Sequence, residues 1–399
     1  MNLTARGWAL VGAGVAWCAV AFVVGQRDLW WPGLFLALLP VASLLLLLPG
    51  TARLRVQRRV SPARLGVGGT ARVELLLEPG GIALGGVSRV RDLLPEALGE
   101  ARWYGFAAGL GRWRQSVRYE LRPRRRGRHA IGPVERSVAD GLGLARARFT
   151  ARGRTEVLVT PRVEPLSNQR GASGVGQATD TTLLRTGLGS ADDVLVREYQ
   201  QGDDVRRIHW RSSAHTGQLM VRREERAWDP SATVVVDNRA LAYSSRAHDE
   251  RLEWVVSAAA SVSIHLLRDG FDLGLVAADG RVLSPHRLGS GREEVVLEHL
   301  AELATDPAPS LREALGASGR GAEGQLLVAV LGRVDAADLD ALADAGRHGR
   351  ACWAVLVPRS REDASRADAV RATGWKCVVA GPGTPIAAAW RELGVEDER

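Results

Sequence analysis

The sequence has almost no lysine and very little cysteine, and both shortages exclude particular kinds of site. Lys376 is the only lysine among 53 basic residues and it follows Trp375, so the Gly-Lys-Ser/Thr sequence of a Walker-type phosphate loop is missing. The three cysteines, Cys18, Cys352 and Cys377, are too few and too scattered for a disulfide framework or a zinc cluster, and they fit a reducing compartment. The histidines include no His-x-x-x-His pair, which argues against a zinc site.

A chain of 399 residues is long enough for two or three domains. The apolar share of 46% and the charged share of 25% rule out disorder throughout the chain. The charge is unevenly spread: residues 51–230 carry 32 basic and 19 acidic side chains, whereas residues 231–399 carry 19 and 25. This asymmetry bears on surfaces and partners rather than on fold.

Two long uncharged stretches open the chain, at residues 7–25 and 29–49. Each is close to the roughly 20 residues that a helix needs to cross a hydrocarbon core. Because only three residues separate them, we predict a transmembrane helical hairpin within residues 1–50. A cleaved signal peptide is the alternative, but the first stretch lacks a small-x-small cleavage site and Trp17 precedes Cys18.

Arginines flank the predicted hairpin on its outer sides. Arg6 precedes the first stretch, and the second is followed by Arg53, Arg55, Arg58, Arg59 and Arg64. The positive-inside rule therefore predicts a two-span protein of the cell membrane with both termini in the cytoplasm.

Residues 51–165 are predicted to form a β-sandwich of the immunoglobulin-like kind. Alternating or apolar runs occur at Leu54–Val60, Ala71–Glu78 and Trp113–Pro123, and glycine and proline separate the runs that follow. Short strands at roughly ten-residue spacing are typical of a sandwich. The densest positive charge, Arg122–Arg128, fits a solvated sheet edge, and contact with anionic lipid headgroups or RNA is the alternative.

Residues 166–230 combine a Gly/Ser/Thr-rich linker with a charged segment, and residues 231–399 alternate between apolar strands and amphipathic helices. Ala232–Asn238 and Gln325–Leu331 are almost continuously apolar, Asp249–Leu267 has helical spacing, and Asp335 is a suitable N-cap for a later helix. This alternation predicts an α/β domain with a parallel, doubly wound sheet covered by helices on both faces.

The densest group of charged and aromatic side chains lies just before the α/β domain. Its members are Arg197, Glu198, Tyr199, Gly202, Asp203, Asp204, Arg206, Arg207, His209, Trp210 and Arg211. Gly202 permits a tight turn, the aspartates can accept hydrogen bonds from the arginines, and Trp210 can anchor an interface. We expect a charged clamp that either locks the fold or docks a partner.

The same segment offers an enzymatic alternative, a hydrolase in which Asp203 orients His209 as the base and Ser212 or Ser213 is the nucleophile. Three triad members within about ten residues of one strand or turn rarely converge, and the sequence indicates no oxyanion site. We therefore predict no catalytic residue and no cofactor.

Residues 197–225, REYQQGDDVRRIHWRSSAHTGQLMVRREE, resemble the signature of the family known as domain of unknown function 58. The two apolar stretches and the elements RPRRRGRHAIGP, DGLGL and EVLVTPR agree with that family along nearly the whole chain. The resemblance implies a membrane-anchored protein whose residues 231–399 form a von Willebrand factor type A-like domain. Bacterial relatives often accompany a MoxR-type ATPase and a transglutaminase-like membrane protein, so the resemblance implies these as partners.

Type A domains often hold Mg²⁺ through an Asp-x-Ser-x-Ser sequence that follows the first strand. Asp237 matches the aspartate of that pattern, whereas Arg239 and Leu241 stand at the two serine positions. Arg239 carries a positive charge where the cation would sit. We therefore expect Asp237 to contact Arg239 or a helix, and we predict no metal site.

Together these features predict a non-enzymatic scaffold of the bacterial cell envelope that binds protein partners through cytoplasmic domains. A binder of anionic lipid or RNA that uses the arginine-rich residues 51–165 is one alternative, and its binding would weaken steeply with salt. Because aromatic-rich stacking motifs are missing, no specific nucleic acid is expected. The hydrolase built on Asp203 and His209 is the other alternative.

Overall fold

The computed structural model describes residues 1–47, 54–62, 64–80, 83–167, 196–198, 210–222, 231–243, 249–284, 291–318, 326–347 and 351–395. The chain divides into two compact units, Met1–Arg162 with Leu300–Glu302, and Val163–His299 with Leu303–Arg399.

Two apolar helices, α1 (Ala5–Val24) and α2 (Trp30–Leu46), lie where the sequence predicts the two spans. Thr4 caps α1 by accepting a hydrogen bond from the Gly7 amide, and Gly25 ends the helix in the left-handed conformation with φ 73°. By length and composition, α1 can cross a membrane, and so can α2 together with the short helical turn Arg27–Leu29 that precedes it.

The two helices pack against each other through glycine. A Cβ atom at Gly14 would lie 2.6 Å from the Ala37 nitrogen and 2.7 Å from the Gly33 oxygen, and one at Gly33 would lie 2.6 Å from the Cys18 sulfur. Small residues at such positions let two backbones approach closely, as in helix pairs within membranes. The bulky side chain of Phe22 lies on the outside of the pair.

The strands of the first unit are β1 (Asn2–Leu3), β2 (Leu54–Ser61), β3 (Leu65–Gly66), β4 (Ala71–Pro79), β5 (Ala83–Asp92), β6 (Trp103–Gly111), β7 (Gln115–Leu121), β8 (Gly127–Ile131), β9 (Val134–Ala139), β10 (Ala145–Ala151) and β11 (Thr155–Thr160). They form three sheets with the orders β1-β10-β9-β5-β6, β2-β4-β7 and β3-β11-β8. All pairs are antiparallel except β3 with β11.

The strands predicted from alternation are therefore present, but they are divided among three sheets and do not form a clear two-sheet sandwich. Between β8 and β9 the chain leaves one sheet and enters another at Gly132 and Pro133. Gly132 has φ 99°, and Pro133 has no N–H with which to continue a ladder. All three sheets contribute buried side chains to one core, for example Leu75, Val90 and Val157.

A buried polar group joins the three sheets. Arg58 of β2 donates to both carboxylate oxygens of Asp92 in β5, at 2.9 and 2.7 Å, and to Thr155 Oγ1 in β11 at 2.8 Å. The hydroxyl of Tyr119 in β7 donates to Asp92 Oδ2 at 2.6 Å. Burial, together with the neighbouring charge of Asp92, raises the pKa of Tyr119, so its hydroxyl remains a donor.

The start of α1 is fixed to the turn between β9 and β10. The Thr4 amide donates to the Leu144 oxygen at 2.9 Å, and the Thr4 hydroxyl donates to the Gly143 oxygen at 2.7 Å. Below this contact, Leu3, Leu44 and Leu47 pack with apolar side chains of β9 and β10. The helical pair and the β-sheets of the first unit are thus joined by hydrogen bonds and by an apolar cluster.

The first helices and strands of the second unit are β12 (Val196–Glu198), α3 (Trp210–Thr216) and β13 (Met220–Arg222), and β12 pairs antiparallel with β13. Its large sheet contains β14 (Ser231–Val236), β15 (Asp272–Ala277), β16 (Val282–Ser284), β17 (Leu326–Leu331), β18 (Ala351–Leu356) and β19 (Lys376–Val379). The helices that follow are α4 (Glu250–Arg268), α5 (Arg292–Glu302), α6 (Arg312–Ser318), α7 (Ala336–Gly346), α8 (Arg361–Ala372) and α9 (Ile386–Val395).

The order of the large sheet is β16-β15-β14-β17-β18-β19, and every neighbouring pair is parallel except β15 with the short edge strand β16. Alternate strand residues such as Val235 and Ala354 pack in one cluster with side chains of α6, α7 and α8. Trp353 points to the opposite face, where its ring lies 5.2 Å from that of Trp390 in α9. The parallel sheet with helices on both faces is confirmed, with one antiparallel strand at its edge.

Candidate functional site at the carboxyl edge of the parallel sheet

The order in which successive strands are added to the sheet reverses between β14 and β17, although these two strands are parallel. The sequence continues from β14 to β15 on one side, whereas β17, β18 and β19 follow in order on the other. In open α/β sheets, ligands bind in the crevice that such a reversal opens beyond the carboxyl ends of the strands. The side chains that fill this crevice are therefore the first candidates for function.

Asp237 lies at the end of β14 and is fully buried. Its Oδ1 accepts hydrogen bonds from the Arg239 amide at 3.1 Å and from Arg239 Nε at 2.9 Å. Its Oδ2 accepts from Arg239 Nη2 and from the Gly332 amide, both at 3.0 Å. Each carboxylate oxygen of Asp237 thus has two donors.

Arg239 uses its whole guanidinium group in this crevice. Besides the two bonds to Asp237, its Nη1 donates to both oxygens of Asp338 at 2.9 Å, and its Nη2 donates to the Arg333 carbonyl at 2.8 Å. All three guanidinium nitrogens therefore donate hydrogen bonds within the protein. Only 3% of the Arg239 side chain is exposed.

Asp338 completes the group from the first turn of α7. Its Oδ1 also accepts from the Leu311 amide at 2.9 Å, and its Oδ2 accepts from the Asp335 amide at 3.1 Å. The Asp335 side chain in turn accepts from the Asp338 amide, which makes the two residues a capping box. We call Asp237, Arg239 and Asp338 the buried triad.

The charges of the buried triad sum to minus one, because two carboxylates face one guanidinium. Backbone amides and the amino-terminal end of α7 stabilise the excess negative charge. Burial on its own lowers the pKa of Arg239, but the hydrogen bonds and charge of Asp237 and then Asp338 outweigh it and raise the pKa. Arg239 is therefore always charged.

The buried triad does not fit a metal ion. A cation bound to Asp237 would have to displace a guanidinium group that already occupies both carboxylate oxygens. In the described part of the chain, no group of three or more His, Cys, Asp or Glu side chains could hold a metal. The Arg239 guanidinium contacts Asp237 at the position where a metal ion would bind, as the sequence predicts.

Neighbouring side chains fix the loops around the buried triad. Asn238 Oδ1 accepts from the Ala278 amide beyond β15 at 3.0 Å, and its Nδ2 donates to the Ala304 carbonyl at 2.7 Å. The Tyr243 hydroxyl donates to the Asp237 carbonyl. A Cβ atom at position 332 would lie 2.7 Å from the Ala242 side chain, so only glycine fits there.

Beside the buried triad lies an open cavity of about 470 Å³, which we call the arginine pocket. Its charged lining consists of Arg251, Arg333, Arg359, Glu362, Asp363 and Arg366. Arg251 belongs to the first turn of α4, Arg333 follows β17, and the other four lie after β18 or in α8. The carbonyl of Arg333 is held by Arg239, so the buried triad positions one wall of this pocket.

The charged segment predicted as a clamp is only partly described. Arg197 and Glu198 lie in β12 opposite Val221 and Met220, and Arg211 lies in α3. The side chain of Trp210, the first residue of α3, is 69% exposed. The other members of this charged segment lie outside the described residues; they are Tyr199, Gly202, Asp203, Asp204, Arg206, Arg207 and His209.

Ser213, one of the two candidate nucleophiles of the hydrolase alternative, has a structural contact. Its hydroxyl oxygen accepts a hydrogen bond from the Met220 amide at 2.8 Å, and this bond connects α3 to β13. The other candidate, Ser212, also lies in α3.

Sequence reasoning missed Asp338 and the four arginines of the pocket. Asp338 was detectable as the partner of the predicted N-cap Asp335, because an acid three residues after a capping residue indicates a capping box. The arginines gave no such signal, since they come from two separate loops and two separate helices.

Residues 195–365 match the model of a protein family. Its description is Protein of unknown function DUF58. The resemblance seen at residues 197–225 is thus confirmed for this stretch. The DUF58 stretch also contains the buried triad and most of the arginine pocket.

Relatives extend the similarity beyond the DUF58 stretch. The protein named Uncharacterized protein YeaD from Bacillus subtilis is 26% identical over 330 residues, which cover 78% of this chain and 79% of that protein. Uncharacterized protein Rv1480 from Mycobacterium tuberculosis is 32% identical over 119 residues, which cover 28% of this chain and 36% of that protein.

Among solved structures, a CARDB domain from Pyrococcus furiosus is 17% identical, with a TM-score of 0.18, over 27% of this chain and 86% of that domain. The alkylpurine DNA glycosylase AlkC of Pseudomonas fluorescens is 19% identical, with a TM-score of 0.16, over 37% of this chain and 43% of that protein. At these TM-scores the similarity assigns neither fold nor function.

Proposed function

We propose that this chain is a membrane-anchored, non-enzymatic scaffold of the bacterial cell envelope, a full-length member of the DUF58 family. In this proposal the helical pair spans the cell membrane with both termini in the cytoplasm. The three β-sheets of the first unit together serve as an immunoglobulin-like domain. The sheet of the second unit serves as a von Willebrand factor type A-like domain that binds partners without a metal.

The observation that carries the proposal is the saturation of the buried triad. Enzymes keep a reactive group within reach of a substrate. Here the charged groups in the crevice between β14 and β17 are closed to solvent, and their hydrogen-bonding capacity is used within the protein. Such a crevice supports a structural role better than a catalytic one.

Trp210 supports the binding of a protein partner. Its indole is largely exposed at the start of α3, within the DUF58 stretch. Exposed tryptophans often dominate the energy of protein interfaces because they bury a large apolar area with few rotatable bonds. We propose a MoxR-type ATPase or a transglutaminase-like membrane protein as the partner that covers it.

The test is affinity purification of the tagged full-length chain from its own membranes, followed by mass spectrometry. Wild type is compared with Trp210→Ala and with Trp103→Ala, a matched tryptophan control in the first unit. We expect one of the two partners to be enriched with wild type and with the control, and to fall at least tenfold with Trp210→Ala. If only lipid or RNA accompanies all three proteins at equal abundance, the scaffold proposal is wrong.

A further inference from the structure

We propose that the arginine pocket binds an acidic segment of a protein partner, one that presents two carboxylates in an extended stretch of chain. This proposal rests on the scaffold function and names the chemistry that one partner would use.

The first support is the charge of the pocket. Four arginines face two acids, so the lining has an excess of two positive charges. The guanidinium groups of Arg359 and Arg366 have no carboxylate oxygen within 4.0 Å among the described residues. The guanidinium of Arg333 lies near Asp363, with 3.9 Å between Nε and Oδ1. Because 58% of the Arg333 side chain is exposed, its donors are open to a ligand.

The second support is the rigidity of the surrounding backbone. The Arg239 guanidinium holds the Arg333 carbonyl at 2.8 Å, and the Arg251 Nε donates to the Pro358 carbonyl at 3.3 Å. Asp363 Oδ2 accepts from the Arg359 amide at 3.2 Å. The loops that carry the arginines are therefore fixed before a ligand arrives, which reduces the entropy lost on binding.

The third support comes from the two acids of the pocket, which argue against a phosphate ligand. A phosphate at the start of α8 would need the free amides of the first turn. Instead, Ser360 Oγ accepts from the Asp363 amide at 3.1 Å, and Glu362 and Asp363 place negative charge in the same turn. What remains for recognition is the guanidinium forks, whose planar geometry matches carboxylates and phosphates alike. The two acids repel a dianionic phosphate more strongly than a singly charged carboxylate.

The size of the pocket favours a peptide segment over a small anion. A volume of about 470 Å³ is far more than one carboxylate fills, and it falls within the range of sites that hold drug-sized ligands. None of the residues that line the pocket is aromatic, so a nucleobase would have no ring on which to stack.

The experiment uses the full-length protein in lipid nanodiscs and a fluorescein-labelled peptide of glycine and serine that carries two glutamates. Fluorescence anisotropy gives the Kd, and the same peptide with both glutamates replaced by glutamine is the ligand control. We test an Arg359→Gln/Arg366→Gln double variant, and Arg361→Gln as the matched control. Arg361 lies in the same helix and is exposed, but it does not line the pocket.

We expect the glutamate peptide to bind wild type and the Arg361→Gln control equally, and to bind the double variant at least tenfold more weakly. The glutamine peptide should not bind. Arg333→Gln should weaken binding in the same direction without unfolding the loop, since the triad holds the backbone carbonyl of residue 333 and not its side chain.

The proposal is wrong if the glutamate peptide fails to bind wild type, or if the double variant and the Arg361→Gln control lose affinity equally. It is also wrong if inorganic pyrophosphate binds wild type more tightly than the peptide does, because a phosphoryl ligand would then be preferred. If the peptide does not bind but a partner still purifies with the double variant from membranes, the pocket proposal fails while the scaffold proposal stands.

Discussion

The Arg239 side chain is the counter-ion of two carboxylates that have no other cation within reach in the described part of the second unit. Its removal would leave Asp237 and Asp338 buried and unpaired. A buried ion pair adds little net stability compared with apolar residues of equal volume, but breaking one from one side is costly. The effect of a single substitution here should therefore be large.

We expect Arg239→Gln to destabilise the second unit by about 3–5 kcal/mol. Hydrogen exchange of the β14 and β17 amides, followed by mass spectrometry, measures this loss for the second unit alone. Arg312→Gln is the control, since that arginine is exposed and lies 3.9 Å from Asp344. Equal protection of β14 in both variants would show that the triad contributes nothing to the fold.

His265 should make the second unit sensitive to acid. Burial lowers its pKa below 6.5, and the charge of Asp269, at 3.4 Å, offsets only part of this effect. The unfolded chain then binds a proton more readily than the folded one. The contribution of His265 to stability is therefore fully present above pH 6.5, and it is lost as the pH falls from 6.5 through the lower pKa of the folded state.

We expect His265→Gln to reduce the loss of melting temperature between pH 7.5 and pH 5.5. Thermal unfolding at the two pH values, monitored by circular dichroism, measures the difference. His299→Gln, at an exposed position of α5, should leave the loss as it is in wild type. If the melting temperature falls by the same amount in wild type and in His265→Gln, groups other than His265 cause the acid sensitivity.

Strands from three sheets of the first unit meet at one buried ion pair, and this explains how the sheets keep their arrangement. Arg58 and Asp92 are almost fully buried, and their hydrogen bonds extend to Tyr119 and Thr155 on two further strands. Apolar contacts alone are not directional, whereas these bonds require each strand to take one position.

We expect Asp92→Ala to destabilise the first unit by about 3–5 kcal/mol, because the Arg58 guanidinium stays buried without its carboxylate. Hydrogen exchange of β4 and β5 reports the change. Glu74→Ala removes an ion pair with Arg118 that is open to solvent, and it should have little effect. If the two variants exchange alike, the buried pair does not join the sheets.

The contact of α1 with the β9–β10 turn depends on Gly7. A Cβ atom at this position would overlap the Leu144 carbonyl, whereas one at Gly12 of the same helix would meet no atom within 4 Å. We expect Gly7→Leu to separate the turn from the helix and to expose residues 140–144 to protease in detergent solution. Gly12→Leu should be cleaved at the wild-type rate, and faster cleavage there would mean that bulk alone disturbs the helix.

The proposed topology of the chain places the short connection between α1 and α2 outside the cell and everything after α2 inside. In sealed, right-side-out vesicles, a membrane-impermeant maleimide should label Gln26→Cys at once and Ser360→Cys only after the membrane is opened. The unsubstituted chain controls for reaction at its own cysteines. Immediate labelling of Ser360→Cys would show that the residues after α2 lie outside the cell, opposite to the proposed orientation.

Much of this architecture could be predicted from the sequence because the signals are local. The apolar helices, the strands β14 and β17 and the N-cap Asp335 each depend on residues within one element. The buried triad could be predicted only in part: Arg239 stands two residues from Asp237, but Asp338 is 99 residues away. Pairing over such a distance is decided by the order of strands in the sheet, which no single segment encodes.

The division of the first unit into three sheets was hidden for the same reason. Alternation predicts strands, but Arg58 and Asp92 lie 34 residues apart, and neither looks different from an exposed ion pair in the sequence. Charged residues are usually assigned to the surface on the basis of composition. In this chain the charged residues that join strands and loops, Arg58, Asp92 and the buried triad, are in the interior.

The buried triad also has a consequence for when the second unit can work. A site whose positive charge is a dissolved cation responds to the supply of that cation, and a chelator can empty it. In this chain the positive charge at the crevice belongs to the Arg239 side chain, so it is present from the moment the polypeptide folds. Whatever docks beside it would therefore need no divalent cation, and a chelator would leave the docking surface unchanged.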